Sequence, residues 1–159
     1  MRAIVGGTEV MRVIILGCGR VGSTMARMLE REGHEVTVID WNQDSFRRLD
    51  TFRGKTLVGS GIDMDVLRKA GIEKADAFVA VTNGDNTNIM SVQIAKEIFK
   101  VSKALARIYD PVRASAYKQL GIETLCTTSI GAGLMTDFLL SREPRPVMEY
   151  CAIESELNV

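Results

Sequence analysis

The stretch Met11–Asp40, MRVIILGCGRVGSTMARMLEREGHEVTVID, decides the fold. The apolar run VIIL meets Gly17-Cys18-Gly19-Arg20-Val21-Gly22, and a second apolar run, EVTVID, closes on Asp40. A GxGxxG pattern alone is weak evidence. Here a strand precedes it, a helix follows it, and an acidic residue ends the next strand roughly 20 residues on, which is the context of a nucleotide-binding βαβ unit. Each glycine has a physical task. Gly17 turns the chain sharply off the strand, Gly19 keeps a Cβ away from a bound phosphate, and Gly22 lets the helix lie close on the sheet. The helix, about Arg20 to Glu32, carries Val21, Met25, Met28 and Leu29 on one face to pack on the sheet, while its free N–H groups face an anion. Asp40 suits two ribose hydroxyls and opposes a 2′-phosphate, so NADP is disfavoured. Cys18, at a helix N-terminus, reads either as a structural thiol or as a reactive one.

Working outward, β-type runs alternate with helical stretches, the pattern of a parallel sheet with crossover helices. A short helix spans Gln43 to Thr51 with Phe46 and Leu49 inward, and KTLVG is the third strand. Another helix covers Met64 to Lys69. ADAFVAVT, from Ala75, is apolar enough to be buried on both faces. A long helix runs from the Asn83–Asn88 turn to Phe99 with Ile89, Val92, Ile98 and Phe99 inward, and Lys103–Tyr109 is strand five. Asp110-Pro111 opens a helix to Leu120; a short strand, Glu123–Cys126, precedes a final helix over Thr128–Leu140. The expectation is an α/β, Rossmann-type doubly wound parallel sheet of six strands in the order 3-2-1-4-5-6. Residues 11–140 form this domain, 1–10 are an upstream extension or cloning remnant, and 141–159 are a linker with one β-like segment, Val147–Ile153.

Composition excludes several classes. The 159 residues are 46% hydrophobic and 25% charged, ordinary for one globular domain. Twenty basic and 20 acidic residues give a formal net charge of +0, so the basic footprint of a nucleic-acid binder is missing. No apolar stretch reaches the roughly 18 residues that span a bilayer, and no signal-peptide pattern opens the chain; the reading is cytoplasmic. Three cysteines match neither a zinc site nor a disulfide framework.

In such sheets the ligand lies at the carboxyl ends of the strands. The candidate residues are therefore Gly17–Gly22, Asp40, Gly59–Asp63, Thr82–Asn88 and Arg107. Thr82, Asn83 and Asp85 read equally as ligand contacts or, for Asp85 and Asn86, as helix caps. Arg107 faces a phosphate or pairs with Asp110, and Trp41 covers an adenine rim or simply packs at a strand end. A hydride-transferring enzyme would need an acid or base here and a substrate domain. The single histidine, His34, lies at the opposite edge of the sheet, and the sheet consumes the chain, so no catalytic residue or metal site is expected. The final helix, apolar at Ile130, Leu134, Met135, Phe138, Leu139 and Leu140, asks for two partners, its own sheet and a second chain, and is expected to dimerise.

The run from Met11 to Asp40, then GSGIDMDVLRKAGIEKADAFVAVTNGDNTNIMSVQIAKE, ALARIYDP and LGIETL resemble the N-terminal lobe of RCK/KTN (TrkA-N) domains, cytosolic regulatory subunits of Trk- and Ktr-type potassium transporters and of some potassium channels. The resemblance covers about Met11–Leu140. It implies binding of NAD(H) or ATP/ADP, homodimers that assemble into rings, and a membrane-embedded potassium transporter subunit as partner, with the protein peripheral to the inner face of the membrane. It places Gly17, Gly19 and Gly22 at the phosphates with Arg20 at the terminal ones, and Asp40 at the ribose; Cys18 and Val21, in the same turn, count among the cofactor-binding residues. Gly59-Ser60-Gly61-Ile62-Asp63 lines the adenine, with Ser60 where the family often has Asp. The function it implies is a nucleotide-binding subunit that gates potassium uptake through ligand-dependent conformational change. A small NAD(H)-dependent oxidoreductase or redox sensor using Cys18, and a bare dimerisation module, are the alternatives. Family members often continue into a second small lobe; this sequence ends at Val159, as a fragment or a single-lobe member.

Overall fold

The structure, a computed structural model, describes residues 4–5 and 8–151. Six parallel strands form one sheet: β1 (Arg12–Leu16), β2 (Glu35–Asp40), β3 (Lys55–Val58), β4 (Ala77–Ala80), β5 (Lys103–Ile108) and β6 (Thr124–Cys126). Their spatial order is β3-β2-β1-β4-β5-β6, the expected doubly wound arrangement. β1 lies at the centre, with Leu16 opposite Ile39 of β2 on one side and Ala80 of β4 on the other. Sequence order reverses there, which opens a crevice above the carboxyl ends of β1 and β4. Ile4–Val5 pairs antiparallel with Thr8–Glu9 in a separate two-stranded sheet.

The alternation of side chains along the strands divides the core into two layers. Val13, Ile15, Val36 and Val38 pack with Ala26 of helix α1 (Arg20–Arg31) and with Leu49 of a 3₁₀ segment, Gln43–Leu49. On the other face Ile14, Leu16, Ile39 and Phe78 meet Leu67 of α2 (Met64–Lys69) and Ile89 and Val92 of α3 (Asp85–Gln93), and the layer continues to Ala114 of α4 (Pro111–Gln119). α1 departs from the expected face. Gly22, Ser23 and Ala26 are its buried residues, Met25 and Leu29 flank them, and Val21 and Met28 point outward. Small residues at the contact let the helix axis come close; a Cβ on Gly22 would stand 1.8 Å from the Gly17 carbonyl oxygen. α3 passes into a π-helical turn, Ile94–Ile98, which rotates Ile98 outward instead of inward.

The C-terminal part differs most from expectation. Val147–Tyr150 is a short helix, α6, where a β-like segment was expected to Ile153, a residue outside those described. Pro146 precedes the helix and suits its start, and the helical turn brings Tyr150 onto α5 (Thr127–Leu139), where a Cβ on Gly133 would meet the Tyr150 ring at 2.3 Å. Asp137, buried in α5, accepts from Arg145 Nε and Nη2 at 3.0 and 3.1 Å and from the Tyr150 hydroxyl at 2.9 Å. Those donors hold its carboxyl below the usual range, Arg145 contributing most and burial opposing. α5 thus buries Ser129, Gly133 and Asp137, while Leu134, Met135, Phe138 and Leu139 face solvent. No helix among the described residues is long and apolar enough to cross a membrane.

Candidate functional site

The chain leaves β1 through Gly17, whose φ of +103° suits glycine and whose amide donates to the Ile39 carbonyl at 2.7 Å. Cys18 and Gly19 then lead into α1. Gly19 occupies the N-cap in extended conformation, and no side chain caps the helix. The N–H groups of the first turn are therefore left for solvent or a ligand, with the positive end of the helix dipole behind them. A Cβ on Gly19 would meet nothing within 4 Å, so the backbone here faces open space.

Asp40, almost wholly buried, ends β2 beside this turn. Its Oδ2 accepts from the Cys18 amide at 2.7 Å and its Oδ1 from the Asn42 amide at 2.9 Å. One carboxylate therefore ties the glycine turn to the end of β2, and each oxygen keeps a further lone pair. The Cys18 side chain points away from the crevice: fully buried, it donates to the Ser45 carbonyl at 3.3 Å. Burial pushes the thiol up to about 11, Asp40 adding to the shift and Arg48 opposing it. A thiol in that state is protonated at neutral pH and a poor nucleophile, which argues against the redox reading.

The opposite wall is a hydrogen-bond network that sequence reasoning did not foresee. Asn88, fully buried in α3, accepts at Oδ1 from the Thr82 amide (2.9 Å) and hydroxyl (2.7 Å), and donates from Nδ2 to the carbonyls of Thr82 (3.0 Å) and Arg107 (2.8 Å). Arg107 does not pair with Asp110. Its Nη2 donates to the Val81 and Thr82 carbonyls at 2.7 and 2.9 Å, and its guanidinium lies 4.4 Å from the Tyr109 ring centroid. Its Nε is the one buried side-chain nitrogen or oxygen without a partner among the described residues.

Between these walls lies a cavity of about 700 Å³, within the range of small-ligand pockets. Gly17, Gly19, Arg20, Val21, Asp40, Trp41, Gly59, Ser60, Gly61, Thr82, Asn83 and Arg107 all line it, so the structure brings together most of the sequence-predicted residues. Four do not line it. Cys18 contributes its amide to Asp40 instead, and Gly22 is buried on the inner face of α1 against Gly17. Asp63 caps α2 by accepting from the amides of Asp65 and Val66. Asp85 caps nothing; its carboxylate accepts from the amides of Tyr109 and Asp110, tying the start of α3 to the end of β5. Trp41 is 77% exposed at the rim, so it is not a packed strand-end aromatic.

Asn42, Ser45 and Arg48 also line the cavity and were missed. Reading Gln43–Thr51 as a short helix only for its inward residues, Phe46 and Leu49, left them out. In a 3₁₀ helix residues three apart eclipse, so Asn42, Ser45 and Arg48 share one column facing the crevice while Phe46 and Leu49 share the column facing the core. The spacing of three was the available signal.

The sequence model of the TrkA-N domain matches residues 13–128. The chain belongs to the TrkA-N family. Among its relatives is the Trk system potassium uptake protein TrkA of Streptomyces coelicolor, 49% identical over 138 residues, which are 86% of this chain and 62% of that protein. A homologue of the same protein in Pyrococcus abyssi is 37% identical over 69% of this chain and 49% of its own length. The chain thus spans less than two thirds of these curated relatives. Among solved structures, the C-terminal domain of Kef from Shewanella denitrificans in AMP-bound form superposes with a TM-score of 0.70 at 22% identity, covering 92% of both chains. The GsuK channel bound to NAD superposes with a TM-score of 0.64 at 21% identity, covering 80% of this chain and 23% of that one. These two likenesses show that the TrkA-N fold is shared.

Proposed function

We propose that this TrkA-N chain is a nucleotide-sensing regulatory module of a potassium uptake system, acting at the cytoplasmic face of the membrane through a transporter or channel subunit, and that it catalyses no reaction. The observation that carries the proposal is the pairing of an uncapped α1 N-terminus, open at Gly19, with the buried Asp40 carboxylate. The first-turn N–H groups of α1 and Arg20 would hold the phosphates, Asp40 a ribose, and Trp41 with Gly59–Gly61 the base, so the ligand is an adenine nucleotide: NAD(H), ATP or ADP. A TrkA relative at 49% identity, and structural neighbours solved with AMP and NAD bound, support that reading. Asp40 opposes a 2′-phosphate at close range from a buried position, whereas Arg48 is exposed and its attraction is screened by solvent.

Gating in this proposal is a population shift. A nucleotide that binds one arrangement of the assembly better than another moves the equilibrium by its differential affinity. The exposed apolar face of α5, with Phe138 at 83% and Leu139 at 79% exposure, would join two copies, and dimers would build a ring beneath the transporter. Residues 11–140 are the nucleotide-binding unit in this account.

The test is a thermal-unfolding panel with ATP, ADP, AMP, NADH and NADPH. At 100 times the dissociation constant a bound ligand adds about 2.7 kcal/mol, and the gain should appear with one or more adenine nucleotides or NADH, be smallest for NADPH, and vanish in Asp40→Ala. A panel with no shift reduces the chain to a dimerisation module; the active ligand is then carried into potassium flux assays with the membrane subunit.

A further inference from the structure

The end of the sheet remote from the nucleotide crevice carries a second cavity. It measures about 470 Å³ and is bounded by the first residues of β1 and β2, the turn into β3, and the connection between α2 and β4. It exists because α2 is only six residues long. Ile39 on β2 is fully buried within the layer beneath that helix, whereas Thr37, two residues earlier on the same face, is half-buried and lines the cavity. Gly71 ends the helix with a φ of +89°, and a Cβ there would meet nothing within 4 Å.

We propose that this cavity is a second ligand site, selective for a small phosphate-bearing anion. The donor set is the argument. His34, 8% exposed, lines the cavity; its Nδ1 accepts from the Met11 amide at 3.2 Å, so the neutral ring carries its proton on Nε2. That N–H and the Thr37 hydroxyl make no hydrogen bond to the described residues and stay open to solvent and to a ligand. Around them stand Arg12, Arg53, Lys55 and Lys74 against Glu30 and Glu35, four cations to two carboxylates and a surplus of two positive charges. Glu35 already pairs with Arg12 at 3.3 Å, and Glu30 accepts from the Arg53 amide at 2.5 Å. The side chains of Arg53, Lys55 and Lys74 have no ion-pair partner among the described residues. An imidazole N–H, a hydroxyl, two lysines and an arginine lining one space match phosphate oxygens, which accept several hydrogen bonds at once. The site shares no lining residue with the nucleotide crevice, and β2 runs between them, Thr37 at one end and Asp40 about 10 Å away at the other.

The test is a two-dimensional amide NMR titration of the full chain with pyrophosphate, at ionic strength held constant with KCl. Saturable shifts at His34, Thr37, Gly54 and Gly71 are expected, with at least tenfold weaker binding in Lys55→Gln/Lys74→Gln. Those lysines are exposed and unpartnered, so the variant keeps its fold; His34→Gln is the second variant, expected to weaken binding with a native spectrum elsewhere. Shifts confined to Gly17–Gly22 would overturn the proposal by assigning the probe to the glycine turn. A linear response spread over surface lysines would reduce it to ionic screening. Saturable binding of citrate or of an acidic peptide at the same amides, with pyrophosphate silent, would overturn the phosphate assignment. Because the crevice is read from its own amides, none of these outcomes depends on the nucleotide proposal.

Discussion

Gly19 and Gly22 stand three residues apart in one motif and do opposite work. Gly19 has φ −76° and ψ −166°, which alanine adopts freely, and its Cβ would enter open space; Gly22 has the Gly17 carbonyl oxygen within bonding distance of any Cβ. Gly19→Ala should therefore unfold within about 2 °C of the parent yet bind nucleotide at least tenfold more weakly. Gly22→Ala should lower stability by about 2 kcal/mol or more, roughly 5 °C in Tm for a domain of this size. Differential scanning fluorimetry with and without nucleotide separates the two. Cys18 gives a sharper contrast with its reading as a helix-terminal thiol. With its thiol pushed up to about 11 from an ordinary 9.0, it should resist alkylation at pH 7.5. A raised folded-state value means that the stabilisation is complete below the unfolded value and is lost as pH rises from about 9 towards 11. A stability profile over that range, steeper in the parent than in Cys18→Ala, checks the sign, and the variant should still bind nucleotide because Asp40 takes the backbone amide of residue 18.

At the scale of elements, α5 shows where a pattern reads well and misleads at once. Its apolar abundance was legible, and the structure leaves Leu134, Met135, Phe138 and Leu139 exposed. Its inward face was not legible, because Ser129, Gly133 and Asp137 are small or polar, and the later Arg145 and Tyr150, with Arg142 beside them, make burying an aspartate tolerable. A pairing eight to thirteen residues away, formed by a segment that reads as β-like, leaves no periodic trace. The outward row remains. Phe138→Asp removes its most exposed aromatic without touching the clasp around Asp137, so light scattering should report a shift from dimer to monomer at unchanged Tm; a parent that is already monomeric refutes the dimer. The 3₁₀ segment teaches the same lesson at shorter range. Phe46 and Leu49 are consistent with either helix type, and only the choice of a three-residue period reveals Asn42, Ser45 and Arg48.

For the molecule as a whole, the strand order and switch point were legible because the decisive information is local: apolar runs, glycine turns and alternation along the chain. The crevice's first wall was legible for the same reason. Of its second wall Thr82, Asn83 and Arg107 were legible but the network that fixes them was not, since Asn88 sits in the middle of a helical pattern and finds its partners only when β4 and β5 bring Thr82 and Arg107 to it. That wall is bound to β4, α3 and β5 by hydrogen bonds through Asn88, Arg107 and Asp85. The facing lip is held by the Gly59 amide to the Asp40 carbonyl at 3.0 Å, which extends the β2–β3 pairing, and by the Asp63 amide to the Ser60 carbonyl at 3.2 Å within the turn. Hydrogen exchange should therefore be slow at Thr82 and Gly84 with or without nucleotide, and slow down on binding at Ser60, Gly61 and Ile62. Should the proposed nucleotide close the crevice, the hydrogen bonds that cross-link β4, α3 and β5 make the Gly59–Asp63 side the one to yield, so displacement would have a single direction, and a partner resting on that side would feel a push that a partner on the other would not.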